Sequence, residues 1–197
     1  MAIRKESNYS FSFSHEWTRE CNGDALICTV REKARKGEQL RRRFSFVLVN
    51  VYLAPAFGAE TNRSQREGAK VRWELALEKN NGIVAGDFNA HSKRWDAALD
   101  REGRDVWARW MEDLIDTYDL QITNDGEHTF FRDNSEYSAA INLTLSGSDV
   151  IISDWEVVRD DAAVTGSDHE VIRWKAGGRH EDPRPGRNEE EGSTAWE

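Results

Sequence analysis

The chain has 197 residues, 38% of them hydrophobic and 32% charged, with a formal net charge of −9. That length supports one sizeable core and not two full domains, and no run approaches the roughly 18 consecutive apolar residues that span a bilayer. The acidic balance has the wrong sign for a protein that grips nucleic acid by bulk electrostatics.

The charge is unevenly spread. Glu181 to Glu197 holds six acidic and two basic residues, whereas Arg31 to Arg43 holds seven Lys/Arg against two Glu. The basic run could meet phosphate, but a solvated hairpin tip is its plainer meaning. The opening stretch, MAIRKESNYSFSFSHEW, has no apolar core of signal-peptide type. Two cysteines, Cys21 and Cys28, are too few for a disulfide framework and read as reduced thiols of an intracellular protein.

Along the chain, residues 1–20 show no clear period and form a poorly defined N-terminal segment. Asp24 to Arg31 and Phe44 to Tyr52, rich in Ile, Val, Leu and Phe, read as two strands joined by the basic connection. Asn62 to Asn80 has helical spacing, with Val71, Trp73, Leu75 and Leu77 on its apolar side. A short buried strand, Ile83-Val84-Ala85, follows and is ended by Gly86. Gly103 to Tyr118 is a second helix, with Val106, Trp107, Trp110, Leu114 and Ile115 as its core-facing stripe. Short strands are expected at 120–122, 129–131, 140–145, 155–158 and 171–174. Strands mixed with a few helices argue for an α/β layered sandwich over residues 21–176. Gly, Pro, Arg and Glu dominate 177–197, which reads as an acidic disordered tail.

Three segments carry chemistry. Gly86-Asp87-Phe88-Asn89-Ala90-His91 crowds a carboxylate, an amide and an imidazole onto the end of a buried strand, where polar groups are both held and exposed. Alone it reads equally as an Asx-turn. Thr165-Gly166-Ser167-Asp168-His169 sets an oxygen ligand for a hard cation beside a phosphate donor. Alone it is a polar turn. In Val49-Asn50-Val51-Tyr52-Leu53-Ala54-Pro55 a strand ends on a Tyr, in isolation an ordinary rim residue.

Together and in this order, NVYLAP, GDFNAHSKRW, HTFF, SAAINLTL and GSDHEVI resemble the endonuclease/exonuclease/phosphatase superfamily, and most of all the endonuclease domains of LINE-type retrotransposons. The resemblance covers roughly Asp24 to Lys175. It implies a four-layered sandwich of two mixed β-sheets flanked by helices, and hydrolysis of DNA phosphodiester bonds with Mg²⁺ or Mn²⁺. On matching positions it implies that Asp87 orients or deprotonates the attacking water and that Asn89 holds the scissile phosphate, with His91 beside it on the substrate. Tyr52 would hydrogen-bond the phosphate, His169 would stabilise charge on its oxygens, and Asp168 would lie at the metal. A cation and directed donors are what an anionic phosphodiester needs before water can attack it.

Two departures qualify the match. The family's metal-binding Glu, on an early strand ending in an LQE-like segment, has no counterpart in residues 1–20: Glu16 and Glu20 lie in SHEWTRE without an apolar strand before them. The resemblance thus implies a chain that begins after its N-terminal strand or strands and binds its cation weakly. Asn142 stands in AINLTL where the family has an Asp that orients the catalytic His. In a serine-protease dyad the same change costs about 10⁴ in rate. The expectation is a metal-dependent, retrotransposon-type endonuclease domain. The alternatives are a truncated, catalytically impaired remnant that keeps the fold, and a phosphatase of small phosphate esters on the same fold.

Overall fold

The computed structural model describes residues 9–14, 24–33, 43–55, 71–99, 106–132, 135–159 and 167–178. The two strands expected first are β2 (Ala25–Glu32) and β3 (Ser45–Tyr52), paired antiparallel. From β3 the chain passes helix α1 (Trp73–Leu77) and returns as β4 (Gly82–Asp87), parallel to β3. A parallel return needs such a crossover because a tight turn only reverses direction. Strand β1 (Tyr9–Phe13) adds to β2, and β8 (Asn142–Ser146) adds antiparallel to β4. With β5 (Gln121–Ile122) beyond β8, the order is β1-β2-β3-β4-β8-β5, a six-stranded mixed sheet. Helix α2 (Val106–Thr117) lies between β4 and β5 in the chain. Two hairpins complete the described fold, β6 (Phe130–Phe131) with β7 (Ser138–Ala139), and β9 (Val150–Val158) with β10 (Val171–Gly178).

Strand alternation gives each face of the large sheet its own apolar cover. On one face Ile27, Val49, Val51, Val84, Leu143 and Leu145 pack with Trp73, Ala76 and Leu77 of α1 and with Trp107, Met111, Leu114 and Ile115 of α2. On the other, Cys28, Val30, Phe46 and Ile83 pack with Val150, Ile152, Trp174 and Ala176 of the β9–β10 hairpin. Each large aliphatic side chain so buried contributes about 1.5–3 kcal/mol. Trp110 meets Trp73 and Trp107 edge-on at centroid distances of 5.7 and 6.0 Å, which locks the two helices together. The Trp107 indole N–H donates to Ala54 O (3.0 Å), so its polar end is satisfied as well. The result is an α/β layered domain, with helices on one side of a mixed sheet and a β-hairpin on the other.

Several expectations need correction. Tyr9–Phe13 is a strand, although residues 1–20 were expected to lack a period; the aromatic–Ser alternation of YSFSF is the signal that places it on β2. Leu75 and Val106 are both 37% exposed and leave the core to Ala76 and Met111, which are 1% and 0% exposed. Gly86 does not end β4, because pairing with β3 and β8 continues through it to Asp87. The strand expected at 140–145 starts only at Asn142 and runs to Ser146, with Ala140 and Ile141 joining it to β7, and the last two strands are longer than expected. The first half of the Asn62–Asn80 helix, most of the basic run, Cys21, Thr165, Gly166 and residues 179–197 lie outside the described residues. No helix among the described residues is long and apolar enough to cross a membrane.

Candidate active site

The ends of β3 and β4 and the start of β8 meet at one end of the sheet's central strands. There Tyr52 is in register with Asp87, and Asp87 with Asn142, so three residues singled out in separate motifs share one rung across three strands. Registered residues project to the same face, here the face that also carries Phe46, Leu48 and Ile83 toward the β9–β10 hairpin. Tyr52 is 48% exposed at the rim of this rung.

Past Asp87 the backbone turns sharply. Asn89 adopts φ 45°, in the left-handed region that Asn tolerates better than most residues. Its N–H donates to Asp87 Oδ1 (3.0 Å), the Asx-turn expected from the sequence. Its side-chain amide donates to Asp87 Oδ2 (3.1 Å) and to Leu53 O (2.8 Å). Both Asn89 amide protons are thereby committed, one to fixing Asp87 and one to tying the turn to the end of β3. A phosphate oxygen would have to displace one of these bonds to be held by the Asn89 amide.

His169 arrives from the other side. Ser167 to Glu170 docks along β6 through Phe131 N–H to Asp168 O (2.8 Å) and Glu170 N–H to Thr129 O (2.9 Å). The His169 ring rests edge-on against Phe130, at a centroid distance of 4.9 Å. Its Nδ1 donates to Asn142 Oδ1 at 2.9 Å. That oxygen also accepts the Thr129 hydroxyl at 3.3 Å, and the same hydroxyl accepts the Asn142 N–H at 2.9 Å. With Nδ1 carrying the proton, Nε2 is the nitrogen that faces the carboxylates. It lies 3.8 Å from Asp87 Oδ2 and 3.9 Å from Asp168 Oδ1. These spacings exceed a hydrogen bond but keep the charges coupled.

Burial pushes the Asp87 carboxyl above its ordinary value. The charge of His169 and the hydrogen bonds from Asn89 pull it back only in part. Asp87 is therefore a stronger base than an exposed carboxylate. Asp168 is 45% exposed, an oxygen donor turned to solvent. Asn142 keeps the hydrogen bond to Nδ1 and holds the same tautomer that a carboxylate would. What it omits is the charge.

His91 is bonded to a different neighbour, Tyr137, whose ring packs against Phe130 at a centroid distance of 6.1 Å. The His91 Nε2 pairs with the Tyr137 hydroxyl at 2.9 Å, and Tyr137 in turn lies under the Arg132 guanidinium at 5.1 Å. Sequence reasoning missed Thr129 and Phe130 as supports of the His169–Asn142 pair. HTFF was legible as a motif, but its roles appear only when β6 is brought beside Asn142. Among the described residues no three His, Cys, Asp or Glu side chains are grouped to hold a metal ion. Asp87 and Asp168 supply two carboxylates, short of the oxygen shell a hard cation takes.

Comparison with curated proteins finds no match to the chain. A family model described as endonuclease-reverse transcriptase matches residues 46–173, about two thirds of the chain and the whole of the site from Tyr52 to His169. The chain belongs to this endonuclease–reverse transcriptase family, within the endonuclease/exonuclease/phosphatase superfamily.

Proposed function

We propose that this protein is a retrotransposon-type endonuclease domain that hydrolyses DNA phosphodiester bonds with a divalent cation, Mg²⁺ or Mn²⁺. The observation that carries the reading is the convergence of Asp87, Asn142, Asp168 and His169 at the end of β4, beside Tyr52 on the same rung. The described carboxylates do not complete a cation shell, so the steps follow from the side chains alone. Asp87, fixed by Asn89 and made more basic by burial, orients the attacking water and takes its proton. Protonated on Nε2 as well as Nδ1, His169 presents an N–H in the gap between Asp87 and Asp168 to the phosphate oxygens on which charge develops. Tyr52, at the exposed rim, hydrogen-bonds the phosphate from the β3 side. A four-layered sandwich is the fold this reading takes, supported by apolar residues on both faces of the large sheet.

A second reading, a catalytically impaired member that keeps the fold, is favoured by Asn142. A neutral amide supports a positively charged His169 from the Nδ1 side by its hydrogen bond but not by a counter-charge, so the counter-charge must come from Asp87 and Asp168 across the ring. Nicking of supercoiled plasmid with Mg²⁺, set beside Asp87→Ala, tests the first reading. The endonuclease reading requires nicking by the parent and its loss in the variant. Equal cleavage by both, or none by either, counts against it. Slow nicking that Asn142→Asp accelerates would place the defect in the missing charge.

A further inference from the structure

Strand β5 ends early. It pairs with β8 at Gln121↔Ser146 and Ile122↔Leu145, and Thr123 N–H still reaches Thr144 O at 2.9 Å. Beyond that the backbone leaves the sheet for a turn in which Glu127 N–H donates to Asp125 Oδ1 (2.9 Å) and Gly126 has φ 96°. The β8 edge would then lack partners for Asn142 C=O and Thr144 N–H, the two groups that flank Leu143 on this side. The Asn124 side chain fills both positions. Its Nδ2 donates to Asn142 O (2.9 Å), and its Oδ1 accepts the Thr144 N–H (2.8 Å). One amide thus replaces a length of strand, because it carries the same donor and acceptor as a peptide group.

We infer that Asn124 is a positioning residue for His169. Asn142 is held at three points: its C=O by Asn124, its N–H and side-chain oxygen by Thr129, and that same oxygen by His169 Nδ1. The Thr129 hydroxyl holds the side-chain oxygen and the backbone N–H, and Asn124 is the brace on the backbone C=O. If the Asn142 backbone turns, Oδ1 moves off Nδ1, and the ring is left with Phe130 as its support. A residue that served only to close a sheet edge would affect stability and leave the ring untouched.

The inference rests on the endonuclease reading for its kinetic arm and stands apart from it in its spectroscopic arm. Asn124→Asp keeps the acceptor for Thr144 N–H but turns an oxygen toward Asn142 C=O in place of the donor. Ile122→Ala weakens the same strand without touching Asn142 and serves as the control. With the full chain nicking plasmid, Asn124→Asp lowers kcat at least about tenfold with KM within about twofold, whereas Ile122→Ala leaves both near the parent at a temperature where each is folded. In ¹⁵N-labelled full chain at one fixed pH, ring-nitrogen correlations show His169 with the proton on Nδ1 in the parent and Ile122→Ala, and a mixed or altered pattern in Asn124→Asp. An unchanged His169 ring pattern in Asn124→Asp overturns the inference, as does an equal kcat loss in Ile122→Ala. A parent that does not nick removes the endonuclease reading alone, since the ring pattern still decides the role of Asn124.

Discussion

Replacing Asn142 by Asp changes a charge with almost no change of shape. The Asn142 side-chain oxygen stands 2.9 Å from His169 Nδ1 and accepts the Thr129 hydroxyl, so a carboxylate inherits both bonds. Two unit charges about 4 Å apart attract by about 4 kcal/mol at the effective dielectric that suits partly buried pairs. Desolvation of the new carboxylate, and its repulsion with Asp87 beyond the ring, take back part of this. If roughly half survives as stabilisation of His169 protonated from solvent before the attack, the barrier measured from the neutral ring falls by about 2 kcal/mol, or about thirtyfold in rate. The assay is the initial rate of open-circle formation from supercoiled plasmid at saturating DNA and fixed Mg²⁺, for the parent, Asn142→Asp and Asp87→Ala, each with a thermal melt. An Asn142→Asp protein that is folded but nicks no faster than the parent, while Asp87→Ala still abolishes nicking, refutes the argument. Charge at that position would then be irrelevant to His169.

Gly86→Ala should unfold the domain or cost more than about 3 kcal/mol in urea denaturation. At φ +152° its Cβ would fall 1.9 Å from Val51 O, where β3 and β4 approach backbone to backbone. Met111→Ala should cost about 2–5 kcal/mol and Leu75→Ala less than about 1 in the same measurement, since Met111 is fully buried and Leu75 lies at the surface. The Asp87 carboxyl, raised by burial, binds its proton more tightly folded than unfolded, so it weakens the fold once ionised. Asp87→Asn should therefore be the more stable protein at neutral pH. That advantage should shrink as pH falls through the folded value toward the ordinary 3.8, and an advantage that grows toward acid pH would contradict the assignment.

What the sequence discloses here depends on how far apart the interacting residues lie. GDFNAH was legible because its chemistry is local: Asp87 and Asn89 bond each other within two residues at a strand end. Asn142 was legible as the partner of His169 only through the family resemblance, since the two are 27 residues apart. Asn124 and Thr129 were not legible, because each acts on the backbone of Asn142, and a side chain that mimics a strand leaves no periodic trace. Helical period identified both helices but misjudged their faces at Leu75 and Val106. In a helix as short as Trp73–Leu77 the buried side is set by what packs against it. The YSFSF alternation was a legible strand signal that the surrounding polar sequence obscured.

The face of the sheet that carries the site also explains why the site can be rigid. Along β3, β4 and β8 the successive rungs on this face are Leu48–Ile83–Ser146, Asn50–Ala85–Thr144 and Tyr52–Asp87–Asn142. Polarity rises step by step along the same strands, from the apolar cluster beneath the β9–β10 hairpin to the chemical rung at one end. The Trp155 indole N–H donates to Thr144 Oγ1 at 3.2 Å, so the hairpin also grips the middle rung. Residues between these, Val49, Val51, Val84, Leu143 and Leu145, all point to the helical side and bury there. Substitutions on the helical side thus reach the site only by loosening the whole sheet. Asn50, Ala85 and Thr144 lie one rung behind Asp87 and Asn142, so a conservative substitution there should change the nicking rate more than the melting temperature. Fold and chemistry are separated by strand alternation, and the middle rung is where the two are coupled.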